Sequence, residues 1–168
     1  EELKSAAAHA LGNASVGAQA SFLPAIVGKL DEDNKKQQYL LLSSLREYIQ
    51  SSTRGGQSVA ESLPVIFPPL EKHCSDEEES VRTMVAECMG SLTVLHPSEL
   101  LEKLAGLLSS HSVINSEGGL IADDDEESKK NSRVCWTVAT AVKNAVSGKV
   151  DASELTSHMP TFLALLGQ

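Results

Sequence analysis

The chain has few aromatic residues, a deficit of basic residues and little cysteine. Aromatic side chains make up 4% of its 168 residues, and because sheets favour aromatic and β-branched residues, this composition favours packed helices. The 14 lysines and arginines face 23 acidic residues, which gives a formal charge of −9. Nucleic acids and anionic membranes are bound through basic surfaces, so neither is indicated as a partner. A partner guided by the overall charge would be basic.

The three cysteines argue against a disulfide framework. Cys74, Cys88 and Cys135 are widely spaced and form no CxxC pair, a pattern typical of buried thiols in a reducing compartment. We therefore expect a cytoplasmic and nuclear protein. No apolar run approaches the roughly 18 residues that a membrane span needs. The chain begins at Glu1 inside a helix-like pattern, without a signal sequence, and we expect it to be part of a longer protein.

An internal repeat is visible along the chain. Four segments place small or apolar residues at spacings of three and four: 3–12, 39–45, 81–90 and 134–142. That spacing is typical of a helix packed on two sides. Shorter apolar segments lie between them, and three of these carry a proline at the same place, which the first turn of a helix accepts: Pro24, Pro64 and Pro160. Pro68 and Pro69 lie deeper and predict a kink or break.

These segments predict an all-α solenoid of about eight antiparallel helices in stacked pairs, with no sheet, because no stretch alternates with period two. The helices are expected near 2–15, 20–30, 36–51, 58–73, 77–95, 98–110, 130–147 and 152–166. Stacking neighbouring pairs would bury one continuous core. Its expected members are Met84, Ala86, Cys88, Met89, Ala6, Ala10, Leu41, Leu45, Val138 and Val142, and Trp136 is expected in the core or between repeats. Apolar residues at the two ends, such as Leu3 and Leu163, would lack neighbours and could make the chain self-associate.

Several runs of sequence resemble one family, the cullin-associated, neddylation-dissociated proteins. The runs are 1–17, 39–49 and 85–101, with shorter matches at 70–74 and 140–146 in the same order. The resemblance implies a long HEAT-repeat solenoid that wraps around a cullin–RING complex lacking its ubiquitin-like modifier and competes with substrate-receptor adaptors. It implies a non-catalytic scaffold without cofactor or small-molecule substrate. This chain resembles an interior stretch of the C-terminal half.

One segment departs from the family pattern. We expect residues 1–168 to form a single repeat array, but 113–131 is inserted where relatives have a short turn. The insertion contains Gly118-Gly119 and five consecutive acids. This composition predicts a flexible acidic loop.

Acidic residues cluster where one helix of a pair leads to the next. Because stacked repeats bring equivalent turns to one edge, they could form an acidic ridge. Its members are Asp31, Glu32, Asp33, Asp76, Glu77, Glu78, Glu79, Asp123, Asp124, Asp125, Glu126 and Glu127. The alternative is that they cap helix N-termini or lie solvated in the insertion.

Polar positions on the long helices are the candidate partner contacts: Lys4, Arg46, Arg82 and Lys143. For Arg82, pairing with the preceding acidic turn is the stronger interpretation. No residues form a catalytic, cofactor or metal set; His73 and Cys74 are adjacent and would point about 100° apart on a helix. The alternative function in another class is a HEAT-repeat nuclear transport receptor or a generic HEAT adaptor.

Overall fold

The computed structural model describes residues 2–32, 34–111 and 126–163. These ranges contain eight α helices: α1 Glu2–Gly17, α2 Gln19–Leu30, α3 Lys35–Arg54, α4 Leu63–Lys72, α5 Glu79–Leu95, α6 Pro97–Ser110, α7 Glu126–Ser147 and α8 Ala152–Leu163. Short 3₁₀ helices, Ala60–Ser62 and His73–Ser75, flank α4. The described residues contain no strand, and the predicted all-α architecture is confirmed.

The helices form two layers. In the inner layer the odd-numbered helices lie side by side, α1 on α3, α3 on α5 and α5 on α7. In the outer layer α2 packs on α4 and α6 on α8. This is the arrangement expected of stacked helix pairs, in which each pair completes the apolar face of its neighbour.

The prolines lie differently from the prediction. Pro64 occupies the first turn of α4, as expected, but Pro24 and Pro160 lie inside α2 and α8. The expected break at Pro68 and Pro69 does not occur, because α4 continues to Lys72. A proline at 68 leaves the carbonyl four residues earlier without its helical donor. Residues 64, 65 and 68 are all exposed, so water can take the place of that donor.

Helix α7 begins earlier than expected. Residues 126–131, assigned above to the flexible loop, are helical, and the loop prediction is wrong for them. Ion pairs one turn apart, Glu126–Lys129 and Glu127–Lys130, favour this first part of the helix. The remainder of the predicted loop lies outside the described residues.

The core is continuous through the inner and outer layers. Most of the predicted core members are buried: Met84, Ala86, Cys88, Met89, Leu41, Leu45 and Val138. Val142 packs against the core but is partly buried. Ala6 and Ala10 are exposed, and the prediction is wrong for them. Helix α1 packs mainly on α3 and on α2, and it buries Ala8, Gly12 and Ser15 instead.

Glycine sets the spacing of the inner helices. A Cβ added to Gly12 of α1 would lie 2.5 Å from the carbonyl oxygen of Ser44 on α3, so these backbones are in direct contact. Gly90 of α5 makes the corresponding approach to α7. At the matching position α3 has Arg46, whose side chain pairs with Glu87 of α5.

Candidate interaction surface on the inner helices

Each predicted contact residue lies on a different inner helix. Lys4 on α1 and Lys143 on α7 are exposed, and neither forms an ion pair within the described residues. Arg46 on α3 and Arg82 on α5 are partly buried and already bonded within the chain. The structure therefore separates two free cations from two anchored ones.

Arg46 forms an ion pair across the α3–α5 joint. Its Nη1 donates to Glu87 Oε2 at 2.5 Å. Burial disfavours the charged guanidinium, but the hydrogen bond and charge of Glu87 outweigh it and raise the pKa of Arg46 above its ordinary value. The pair stays partly open to solvent, with 26% of the Arg46 side chain exposed, so a partner can still reach it.

Arg82 is bonded to backbone rather than to carboxylates. Its Nη1 donates to the carbonyl oxygens of Asp76 and Glu77, at 2.6 and 2.8 Å. The guanidinium carbon lies 5.3 Å from the centre of the Trp136 ring, within cation–π range. Trp136 was expected either in the core or between repeats. It lies between repeats and is 40% exposed, so it is not part of the core.

A second exposed aromatic residue, Tyr39 of α3, was missed in the sequence. Tyr39 is 41% exposed and lies two helical turns before Arg46 on α3. The signal that would have found it is a shared spacing. Lys36-x₂-Tyr39-x₆-Arg46 on α3 matches Arg133-x₂-Trp136-x₆-Lys143 on α7. Steps of three and seven residues return to the same helix face, so both helices present a cation, an aromatic ring and a cation in one line.

The inner helices are basic although the chain is acidic. Helices α1, α3, α5 and α7 contain ten lysines and arginines against six acidic residues. One of those acids, Glu47, is buried and bonded within the chain. We define the inner patch as Lys36, Tyr39, Arg46, Arg82, Glu87, Trp136 and Lys143. Its single acid is Glu87, so the patch is a cationic region of a chain with a formal charge of −9.

Five of the eight described members of the predicted acidic ridge form ion pairs with lysine, here called the ladder. Its pairs are Asp31–Lys72, Glu32–Lys29, Asp76–Lys35, Glu126–Lys129 and Glu127–Lys130. Glu77, Glu78 and Glu79 are exposed. Asp33 and Asp123–Asp125 lie outside the described residues. A cleft of about 430 Å³ at this edge is lined by both signs of charge, which does not select a partner of either sign.

Asp76 is the most buried acid of this edge. Its carboxylate accepts from Lys35 Nζ at 2.9 Å, from the Glu78 amide at 3.0 Å and from His73 Nδ1 at 3.3 Å. Burial opposes its ionisation, but these hydrogen bonds outweigh burial and keep the pKa of Asp76 below its ordinary value. Asp76 therefore ties the start of α3 to the connection before α5.

Neither Cys74 nor Cys88 is activated as a nucleophile. Burial raises the pKa of the Cys74 and Cys88 thiols to about 12, and all three cysteines are buried outside any disulfide, as expected. His73 bonds to Asp76, whereas Cys74 donates to the Leu70 carbonyl, so the two side chains do not work together. In the described ranges no three His, Cys, Asp or Glu side chains gather in a way that could hold a metal. No helix found there has the length and apolar character to cross a membrane.

Comparison with known proteins identifies the repeats. Residues 66–95, from α4 to the end of α5, match the HEAT repeat family. The fold and this match define an α-solenoid built of HEAT repeats.

Relatives identify the family. The chain is 45% identical over 115 residues to "Cullin-associated NEDD8-dissociated protein 1" of Drosophila melanogaster, which covers 67% of this chain and 9% of that protein. It is 43% identical over 105 residues to the Arabidopsis thaliana protein of the same name, covering 62% and 8%. A protein of Emericella nidulans, "Cullin-associated NEDD8-dissociated protein 1, C-terminal part", is 34% identical over 110 residues, covering 66% and 10%. The chain belongs to the cullin-associated NEDD8-dissociated protein family and spans about a tenth of the length of these relatives.

Proposed function

We propose that this chain contributes one section of a cullin-binding surface in a longer, non-catalytic HEAT solenoid. The observation that carries the proposal is the 45% identity to a protein named for its association with cullins. In this proposal the whole protein sequesters cullin–RING complexes that lack NEDD8 and competes with substrate-receptor adaptors, in the cytoplasm and the nucleus. The match to a relative named as a C-terminal part supports a position in the C-terminal half.

The inner patch is the part of the surface that we assign to the partner. It joins two exposed aromatic rings to arginines, and these residue types dominate the energetic centres of protein interfaces. In this proposal the section supplies only part of the roughly 800 Å² per partner of a standard interface, and it binds weakly on its own. Held in a long solenoid, the same patch acts at high effective concentration and adds to the total affinity.

A nuclear transport receptor or a generic HEAT adaptor is the alternative, since the fold alone does not select a function. The relatives favour the cullin reading. The two functions differ in ligand. The first predicts binding to an unmodified cullin–RING complex, and the second predicts binding to a small GTPase in its GTP state.

The test reverses the charge of Lys4, Arg46 and Lys143 to Glu in the full-length protein that carries this chain. We expect slower association with cullin–RING, weaker adaptor displacement and a smaller dependence of binding on salt, because these cations attract the partner at long range. Lys29→Glu reverses a single charge on the outer helix α2 and serves as the control for charge reversal away from this surface. Binding by the triple variant that equals the control in rate and salt dependence would remove this surface from the cullin interface.

A further inference from the structure

We infer that the inner patch receives an acidic segment of the partner, and that this segment carries an apolar side chain. The inference rests on the proposed function and specifies the chemistry of the segment that is bound. It reverses the expectation from overall charge, which pointed to a basic partner. Three features of the described residues carry it: the distribution of charge, the anchoring of the cations and a groove beside them.

The first feature is the charge at the surface. The only acid of the patch, Glu87, is bonded to Arg46, whereas Lys36 and Lys143 have no acidic partner within the described structure. Across the layer these two lysines flank α5, one from α3 and the other from α7. The acids of the chain are concentrated in the turns, where the ladder pairs several of them with lysine. An approaching acidic segment is therefore drawn to the inner layer rather than to the edge, where both signs of charge are present.

The second feature is that two cations are held in place before any partner arrives. Arg82 is fixed by two carbonyl oxygens and by the Trp136 ring, and Arg46 is fixed by Glu87. The Nε atoms of both arginines are buried and have no hydrogen-bond partner among the described residues. Side chains that are already ordered lose little entropy on binding, so contacts with them favour affinity.

The third feature is an apolar groove that continues the patch. It has a volume of about 360 Å³ and lies between the C-terminal halves of α3, α5 and α7. Its lining residues are Ile49, Gln50, Thr53, Arg54, Ser91, Val94, Leu95, Asn144 and Gly148. Gln50 lies one turn beyond Arg46, and Asn144 directly follows Lys143. A segment whose acids contact the patch can therefore place an apolar side chain against Val94 and Leu95.

The chain provides its own probe for a test, because Trp136 is its only tryptophan and lies in the patch. The 168-residue chain is titrated with three short peptides while Trp136 emission is followed. One alternates Glu and Ser around a central Leu, the second replaces every Glu with Lys, and the third replaces the Leu with Ser. We expect the acidic Leu peptide to change the emission and bind at least roughly ten-fold more tightly than the Lys peptide. Loss of the Leu should weaken binding about ten-fold, because its side chain leaves the groove.

Variants locate the binding. The double variant Lys36→Glu, Lys143→Glu should bind the acidic peptide roughly ten-fold or more weakly, with a smaller dependence of the affinity on salt. Lys29→Glu should leave this affinity unchanged. Arg82→Lys keeps the charge but loses the fork that fixes the side chain, so binding should weaken with little change in salt dependence. Equal binding of the acidic and basic peptides, an emission that no peptide alters, or full affinity in the double variant would each overturn the inference.

The peptide test is independent of the cullin. If the double variant in the full-length protein binds cullin–RING normally while the triple variant described above does not, the proposed function stands and the acidic-segment inference fails. If the acidic peptide binds as expected but no variant affects cullin–RING binding, the patch is an acidic-segment site and the proposed function fails for this surface.

Discussion

Gly90 of α5 lies directly against Ala141 of α7. A Cβ placed on Gly90 would be 2.8 Å from the Ala141 carbonyl oxygen and 2.6 Å from the Cβ of Asn144. Cβ atoms do not approach backbone oxygen this closely without displacement of one of the helices. The contact therefore depends on the missing side chain and fixes the distance between two inner helices.

Gly90→Ala should destabilise the chain by about 1–3 kcal/mol, because the added methyl group forces α5 and α7 apart. Gly28 and Gly106 are matched controls, since they lie inside helices where nothing would touch an added Cβ. Alanine there should stabilise by about 0.5–1 kcal/mol through its better helix propensity. Urea unfolding measures all three variants, and a Gly90→Ala chain as stable as the controls would contradict the close contact.

Ala86→Asp should destabilise the chain by about 3 kcal/mol or more, because Ala86 is fully buried in α5 and the carboxylate would have no partner. Ala6→Asp makes the same change at an exposed position of α1 and should alter stability by no more than about 0.5 kcal/mol. The two melting temperatures decide between the structural register and the sequence expectation, in which both alanines were core residues. Similar losses for both variants would support the latter.

Acid should weaken the junction between α1 and α3. Glu47 of α3 accepts a hydrogen bond from His9 of α1 at 2.9 Å. Within its own helix it accepts from Arg54 at 2.5 Å and from Ser51. Burial opposes its ionisation, but these hydrogen bonds keep the pKa of Glu47 below its ordinary 4.5. A lowered pKa means that the folded chain binds the proton less readily, so this contribution is present above about pH 5 and is lost as the pH falls through the folded pKa.

Glu47→Gln tests this linkage. At pH 7 the variant should lose about 1–3 kcal/mol, because the charge-assisted hydrogen bonds become neutral ones. Its stability should then fall less than that of the unmodified chain between pH 6 and roughly pH 3. Thermal unfolding across this range gives the comparison, and parallel curves for the two chains would show that Glu47 does not contribute to the acid dependence.

The cysteine thiols should not react with a thiol reagent while the chain is folded. Burial raises the pKa of Cys74 and Cys88 to about 12, and neither is accessible to solvent. At pH 8 a thiol reagent should therefore label them at the rate at which the chain unfolds. In denaturant all three cysteines should react together. Rapid labelling of Cys88 without denaturant would contradict its burial under Leu42.

The helix order could be predicted from the sequence because apolar residues such as Leu45 and Met89 recur at helical spacing in every repeat. The face that α1 turns to the core could not be predicted, because Ala6, Ala8 and Ala10 place the same small side chain on different faces of the helix. Only the position of α3 decides which alanine is buried. The same limit explains the prolines, since the start of a helix before Pro24 depends on its contacts with neighbours and not on local pattern alone.

The spacing of the candidate contact residues was enough to place them on the inner helices. Which residues surround each of them could not be predicted. Arg82 and Trp136 are far apart in the sequence, and stacking of α5 on α7 alone brings them together. The overall charge was misleading for a related reason. Acidic residues dominate the composition, but two acids of the turns, Asp31 and Asp76, pair with lysines of other elements, Lys72 and Lys35.

The spacing of the inner helices has a mechanical consequence. Where glycine allows contact, α1 with α3 and α5 with α7, backbone atoms meet directly and resist relative tilting, as rigid couplings do. Between α3 and α5 the contacts are made through side chains: Arg46 pairs with Glu87, and Cys88 Sγ donates to the Leu42 carbonyl oxygen. We therefore expect the angle between repeats to vary more readily at the α3–α5 junction than at the two glycine junctions.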